Sequence, residues 1–231
     1  MEASVDGYLE LLAELARAKG RELGPLDPGK AVLRLTDRDA ELFALGLARG
    51  LLRIDGRGYL LTRDPHQATA WLVQGNPCWP CWEYLPHAAA YVELIEHHGW
   101  PVSAVRFETP GEEHGIDADL AVVDAQGGVL VLGEAKKESR ELDRLLEQLP
   151  RFAATDPGPP ATRDPLRAVQ KLAHRLWRTR APWLWLVGPA DRRAFEVSYE
   201  PLALQSRPSL PSPAQLGVGA FGGHPRMRLP G

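Results

Sequence analysis

The sequence predicts an α/β protein in which helices flank a mixed central sheet, preceded by a small α+β domain. Apolar strands and amphipathic helices follow one another between about residues 86 and 200, as expected for a sheet covered on both faces. Two helical patterns and a hairpin occupy residues 1–65. Residues 201–231 are rich in Pro, Gly and Ser without a sustained period, so they are expected to form a largely irregular tail.

The first domain is expected to span residues 1–65. Apolar residues recur at helical spacing from Val5 to Lys19 and again after Thr36, which has the position of an N-cap. Two short apolar runs then flank Asp55-Gly56-Arg57-Gly58, a strong hairpin signal. Two helices and a hairpin are compatible with a winged-helix module. The second helix carries several acids near its N-terminus, so a packing or dimerisation role stays open.

Residues 66–85 are expected to connect this domain to the next, because the segment is polar and contains Gly75, Pro77 and Pro80. Cys78 and Cys81 have the spacing of a zinc knuckle. The sequence holds no second Cys-x-x-Cys pair to complete such a site, so we expect free thiols packed among tryptophans rather than zinc.

The second domain is expected to span residues 86–200. Its predicted elements are a helix at His87–His98, strands at Val102–Phe107, Ile116–Val123 and Val129–Leu132, helices at Ser139–Leu149 and Pro165–Arg178, and strands at Trp183–Val187 and Phe195–Tyr199. The order is therefore helix, three strands, two helices and two strands.

Acidic and basic residues lie where two of these strands meet. Asp119 starts one apolar strand and Glu134 ends the next, so in a paired hairpin the two carboxylates converge. Lys136 follows Glu134 by two residues and projects to the same face of an extended chain. Two adjacent carboxylates repel each other unless a cation lies between them, and a hard ion such as Mg²⁺ accepts oxygen ligands. This pattern predicts a metal site with Lys136 beside it, suited to phosphodiester hydrolysis.

The run of Asp119, a Gly-containing turn, an apolar strand and Glu134-Ala135-Lys136 before a helix resembles the PD-(D/E)XK nuclease superfamily. The resemblance covers roughly residues 86–199 and implies a restriction-endonuclease-like fold. It also implies Mg²⁺ or Mn²⁺ held by Asp119, Glu134 and the carbonyl of Ala135, with Lys136 catalytic. Asp117, on the same face as Asp119, is an additional candidate ligand.

Two further features bear on this resemblance. Gln148 resembles the glutamine of the Gln-x-x-x-Tyr motif in the RecB-like branch, with Phe152 in place of the tyrosine, and is a candidate accessory residue. Many members carry an acid in the helix before the first strand. Glu83, Glu93 and Glu96 are not at the expected place, which favours a centre with one metal ion.

DNA is the expected partner. The net charge is −3, so a nucleic acid must be bound by a local basic surface rather than by overall charge. Basic residues recur every three or four positions in one predicted helix, and such a stripe can follow phosphates; a solvated helix face is the other interpretation. The stripe comprises Arg163, Arg167, Lys171, Arg175 and Arg178.

The function predicted from these residues is that of a Mg²⁺-dependent nuclease acting on DNA. Apolar runs too short to cross a bilayer and only two cysteines predict a cytoplasmic protein without a membrane span. A homodimer is a candidate assembly, because cutting both strands of a duplex usually needs two active sites. Two alternatives stay open: a catalytically inactive nuclease fold that binds nucleic acid or protein, and a winged-helix regulator of DNA.

Overall fold

The computed structural model describes residues 1–55, 58–63, 69–109, 118–161 and 165–217. The elements before residue 100 are α1 Val5–Ala18, α2 Pro28–Arg34, α3 Asp37–Ala48, β1 Leu52–Ile54, β2 Tyr59–Thr62, β3 Thr69–Trp71, β4 Val73–Gln74, β5 Trp79–Pro80 and α4 Tyr84–Glu96. Those after it are β6 Val105–Thr109, β7 Ala118–Val123, β8 Val129–Ala135, α5 Ser139–Gln148, α6 Arg167–Thr179, β9 Trp183–Gly188, β10 Asp191–Tyr199 and β11 Leu202–Arg207. Single 3₁₀ turns at Val102–Ala104 and Leu149–Phe152 precede β6 and follow α5.

A six-stranded mixed sheet forms the centre of the protein, in the order β11-β10-β9-β8-β7-β6. Strands β8 and β9 are parallel, and the other neighbouring pairs are antiparallel. Helices α5 and α6 lie in the chain between β8 and β9, because parallel neighbours need a long crossover connection. The predicted mixed sheet flanked by helices is confirmed.

Apolar side chains cover both faces of this sheet, because successive residues of a strand point to opposite faces. Helix α4 and the N-terminal elements pack on one face, together with the odd-numbered Val131, Trp185 and Val187. Helices α5 and α6 pack on the other face, with the even-numbered Leu132, Leu184 and Leu186. Side chains placed on the second face at the ends of β7 and β8 therefore point towards α5 and α6.

The N-terminal elements share a hydrophobic core with the first face of the sheet. Helix α3 crosses α4 at Gly46, where an added Cβ would lie 2.5 Å from Cγ2 of Val92. On its other side, Phe43 of α3 packs edge-on against Tyr8 of α1, with ring centroids 5.3 Å apart. Helix α3 is thus enclosed between two helices, which favours the packing role left open for it.

Buried ion pairs also join the N-terminal part to the sheet. Asp39 of α3 is fully buried and receives hydrogen bonds from Arg192 of β10 at 2.6 Å and from the Ala190 backbone N–H at 2.9 Å. Arg192 also donates to Glu93 of α4 at 2.9 Å. Because these charges are out of solvent, each needs its partner.

Several segments contain regular structure that the sequence patterns did not predict. Helix α2 lies in a stretch interpreted as loop, although Asp27 caps it by accepting from the Gly29 N–H at 3.0 Å and Pro28 opens it. The predicted connector holds β3, which extends the β1–β2 hairpin to three strands, and the β4–β5 pair. Strands of two or three residues contain too few positions to show an alternating pattern.

The tail after Pro201, predicted to be largely irregular, begins with a regular strand at Leu202–Arg207. These residues form β11, which pairs antiparallel with β10 over the register from Tyr199↔Leu202 to Ala194↔Arg207. The strand lies at the edge of the sheet and buries only Leu202 among its side chains. An edge strand of this kind has a weak apolar pattern.

Candidate active site

The pairing of β7 with β8 brings Asp119 and Glu134 together, as predicted. Leu120 pairs with Gly133, so the preceding residue on β7 lies beside the following residue on β8. Close approach of the strands is possible because Gly133 has no side chain: a Cβ there would lie 2.6 Å from that of Leu120. Oδ2 of Asp119 accepts a hydrogen bond from the backbone N–H of Ala135 at 2.8 Å. The first carboxylate is thereby fixed to the strand that carries the second.

Lys136 lies on the same face as Glu134, as its spacing predicts. Its ammonium group donates hydrogen bonds to Oε1 of Glu134 and, at 2.9 Å, to the carbonyl oxygen of Ala135. Burial by itself would lower the pKa of Lys136, but the negative charges of Glu134 and Asp119 outweigh it and raise the pKa. Lys136 is therefore a cation at neutral pH and suits charge stabilisation rather than proton abstraction.

Arg175 of α6 enters the same site, which differs from the exposed nucleic-acid contact predicted for it. Its side chain is only 2% exposed, and Nη1 donates to Oε2 of Glu134. The same Nη1 lies 3.6 Å from Oδ1 of Asp119. The guanidinium thus lies against both carboxylates, where the sequence predicted a metal ion. Its burial has a physical cause, because its helix neighbours Leu172 and Leu176 are in the core.

His87 of α4 is a residue of the site that the sequence patterns did not assign to it. Its ring is buried and stacks on Phe107, with centroids 4.2 Å apart. Nε2 lies 2.6 Å from the backbone carbonyl oxygen of Asp119, and Nδ1 lies 3.2 Å from Oε1 of Glu108. Since a carbonyl oxygen only accepts, Nε2 carries the hydrogen.

Both nitrogens of His87 face acceptors, and this favours the imidazolium. Burial by itself would lower its pKa, but the hydrogen bond and charge of Glu108, with the charge of Asp119, raise it. Glu108 has a φ of +48°, a left-handed conformation that is uncommon for a residue with a side chain. Through its contact with the carbonyl oxygen of Asp119, His87 fixes the Asp119 peptide from the face of the sheet that α4 covers.

These side chains lie in one polar cleft of about 780 Å³. Acidic residues, His87 and basic residues all contribute to its lining. Glu83 belongs to this lining, so an acid just ahead of α4 does reach the site, whereas Glu93 is used in the ion pair with Arg192. The charged lining residues are Glu83, His87, Glu108, Asp119, Glu134, Lys136, Arg167 and Lys171.

The described residues of the predicted basic stripe lie in different environments. Arg167 and Lys171 line the cleft, while Arg178 is exposed and acts on Asp156, whose pKa it helps to lower. Arg163 lies outside the described residues. The stripe therefore contributes two cations to the cleft lining, and a third, Arg175, is buried against Glu134.

Gln148 lies in a second pocket of about 400 Å³ that shares Lys136 with the main cleft. Arg144 of α5 lines the same pocket. The accessory residue implied by the resemblance is thus near Lys136, and its role stays a prediction.

The donor set suits a hard divalent cation, which prefers carboxylate and carbonyl oxygens. Asp119 and Glu134 would hold such an ion with the carbonyl of Ala135. Within the described ranges no three His, Cys, Asp or Glu side chains stand close enough together to hold a metal ion. Asp117, the additional candidate ligand, lies outside those ranges.

Cys78 and Cys81 are free thiols. Cys78 is buried and its Sγ lies 3.6 Å from the carbonyl oxygen of Gly75. Burial, with the nearby charge of Glu83, raises the pKa of Cys81 to about 11. The Cys81 thiol is therefore protonated at neutral pH.

Fold and site together define a mixed α/β protein with carboxylates and a lysine converging in a polar cleft. The chain matches no family model, no curated protein and no solved structure. In the part of the chain that the structure describes, every helix is too short or too polar to cross a membrane.

Proposed function

We propose that the protein is a metal-dependent nuclease of the PD-(D/E)XK type that hydrolyses phosphodiester bonds in DNA. The observation that carries this proposal is the convergence of Asp119, Glu134 and Lys136 on one face of β7 and β8, inside a cleft that Arg167 and Lys171 also line. Two carboxylates beside a lysine provide ligands for a divalent cation and a separate donor for phosphate.

Each residue has a role that follows from its position. Asp119 and Glu134 would hold Mg²⁺ or Mn²⁺ with the carbonyl of Ala135. Such an ion would supply a water of lowered pKa and offset charge on the phosphate. The Lys136 ammonium stabilises negative charge as it develops on a phosphate oxygen.

The two basic residues of the cleft wall serve substrate binding. Arg167 and Lys171 line the same cleft as the carboxylates, so they bind phosphates next to the one that is cleaved. Affinity gained from such contacts is independent of sequence and falls with salt.

The order of elements supports the restriction-endonuclease-like assignment. Helix α4, the antiparallel strands β6–β8, the crossover helices and β9 follow one another as the resemblance implies. Three helices before a three-stranded antiparallel sheet support a winged-helix-like N-terminal part. The enclosure of α3 favours a packing role for this part over contact with DNA.

Lys136 and its neighbour Lys137 provide a matched test. Purified protein is expected to nick plasmid or degrade single-stranded DNA in Mg²⁺ or Mn²⁺. Lys136→Gln should lower the rate by at least about a hundredfold, as loss of one donor to a developing charge commonly does, while Lys137→Gln stays near wild type. Equal activity of wild type and Lys136→Gln would contradict the assigned role.

A second function, non-catalytic binding of nucleic acid, is favoured by Arg175. Its guanidinium neutralises Glu134 and approaches Asp119, so the fold could keep the carboxylates without using metal. Salt-sensitive DNA binding with no cleavage in Mg²⁺ or Mn²⁺, on duplex and single-stranded substrates, would select this function over the first.

A further inference from the structure

Glu134 already has a cation on each of its carboxylate oxygens. Lys136 donates to Oε1 and Arg175 donates to Oε2. The side chain of Glu134 is 6% exposed and that of Arg175 is 2% exposed, so solvent screens this pair weakly. The carboxylate that a metal ion needs is therefore engaged by fixed charges of the protein.

The positive charge of Arg175 also acts on Asp119. Nη1 of Arg175 lies 3.6 Å from Oδ1 of Asp119, whose side chain is 23% exposed. One guanidinium thus reduces the repulsion between two carboxylates, which is the electrostatic role of a bound cation. A divalent ion that enters the site finds Glu134 already engaged as a ligand. It is also repelled by the positive charge of Arg175.

We propose that Arg175 is the resident counter-ion of the cleft and sets its affinity for divalent cations, so that loss of the guanidinium strengthens metal binding. The inference rests on the proposed function only for the identity of Asp119 and Glu134 as ligands. The α6 backbone is held in the core by Leu172 and Leu176. Metal binding in the wild-type protein therefore requires the Arg175 side chain, rather than the helix, to give way.

Mn²⁺ titration of the full chain measures this property without reference to cleavage. By calorimetry or by the electron paramagnetic resonance of free Mn²⁺, Arg175→Met should bind Mn²⁺ at least about tenfold more tightly than wild type. Arg175→Lys, which keeps the charge, should remain within a few-fold of wild type. Arg151→Met, which removes an exposed arginine, is the matched control and should leave the affinity unchanged.

A double variant identifies the ligand concerned. Adding Glu134→Gln to Arg175→Met should abolish the gain in Mn²⁺ affinity, because the released carboxylate is then gone. Unchanged or weaker Mn²⁺ binding by folded Arg175→Met would overturn the proposal. A gain that survives Glu134→Gln would overturn it too, because the added affinity would then not depend on the carboxylate that Arg175 engages.

Thermal unfolding keeps the test decisive if Arg175→Met is unstable. A ligand that binds only the folded state raises the Tm, so Mn²⁺ should raise the Tm of Arg175→Met more than that of wild type. An equal shift in both proteins would contradict the proposal. If Arg175→Met binds Mn²⁺ more tightly but the wild type cleaves no DNA, this inference stands and the nuclease function is refuted. If the wild type cleaves DNA but Arg175→Met binds Mn²⁺ no more tightly, the nuclease function stands and this inference is refuted.

Discussion

Arg192→Met is expected to cause a large loss of stability, because Arg192 holds the N-terminal helices to the central sheet through buried charges. Its guanidinium donates to Asp39 at 2.6 Å and to Glu93 at 2.9 Å. The exposed fractions of the Arg192, Asp39 and Glu93 side chains are 8%, 0% and 6%. Methionine keeps much of the side-chain volume and removes the charge and both hydrogen bonds.

The expected cost is about 3–5 kcal/mol of unfolding free energy, since removal of one partner leaves a buried charge uncompensated. Asp39 retains the N–H of Ala190 and the hydroxyl of Thr36 as donors, at 2.9 and 2.8 Å, and Glu93 retains Arg38 at 2.9 Å. These remaining bonds favour the lower end of that range. The loss is still a large share of the roughly 5–15 kcal/mol typical of a folded protein.

Arg193→Met is the matched control on the adjacent residue. Arg193 is 28% exposed and pairs with Asp191 and Asp143, which are 24% and 65% exposed. Solvent screens these pairs, so the expected loss is at most about 1 kcal/mol. Urea denaturation followed by circular dichroism compares the midpoints at an unchanged slope. Equal losses in the two variants would refute the argument that Arg192 stabilises the docking of the N-terminal part.

Two further predictions concern single contacts in the same region. Gly46→Ala should destabilise the protein although alanine favours a helix by about 1 kcal/mol over glycine, because the new Cβ lies 2.5 Å from Val92; a higher denaturation midpoint would contradict the α3–α4 crossing. The hydrogen bond from Arg34 lowers the pKa of Glu138 below its usual 4.5. The contribution of the Glu138 carboxylate to the free energy of unfolding is therefore present above pH 4.5 and is lost as pH falls through the lowered pKa. The stability difference between wild type and Glu138→Gln should therefore be largest above pH 4.5 and shrink in acid, and a difference that grows in acid would exclude this coupling.

The site was predictable as far as strand geometry determines it. Alternation along a strand places Glu134 and Lys136 on one face, and a hairpin brings Asp119 beside them. Both relations depend on residues close in sequence or on one pair of neighbouring strands. The structure shows them as predicted.

Arg175 and His87 were not predictable in the same way, because their environment depends on how helices pack. A basic residue every three or four positions predicts a solvated or phosphate-facing stripe, and nothing in that spacing marks one member as buried. A signal did exist in the neighbours: Leu172 and Leu176 border Arg175, and alanines follow His87 in an apolar helix. A charged or polar residue beside a buried helix face is a candidate for a buried contact.

In the N-terminal part, too, the sequence predicted a local contact but not a distant one. The capping residue Thr36 is a local signal and was confirmed, with Asp39 donating its backbone N–H at 3.2 Å. The side chain of Asp39 also binds Arg192, which is 153 residues away in the chain. A sequence pattern confined to one helix contains no information about that partner.

Plasmid cleavage by Glu134→Gln and Glu147→Gln tests the central claim most directly. Glu134 lies in the cleft, and Glu147 is an exposed residue of α5, so the same chemical change is made inside and outside the site. With Mn²⁺ present, wild type and Glu147→Gln should convert supercoiled plasmid to nicked or linear DNA at similar rates, and Glu134→Gln should be inactive. Cleavage by Glu134→Gln at the wild-type rate would show that the carboxylates and lysine of the cleft are not the catalytic site.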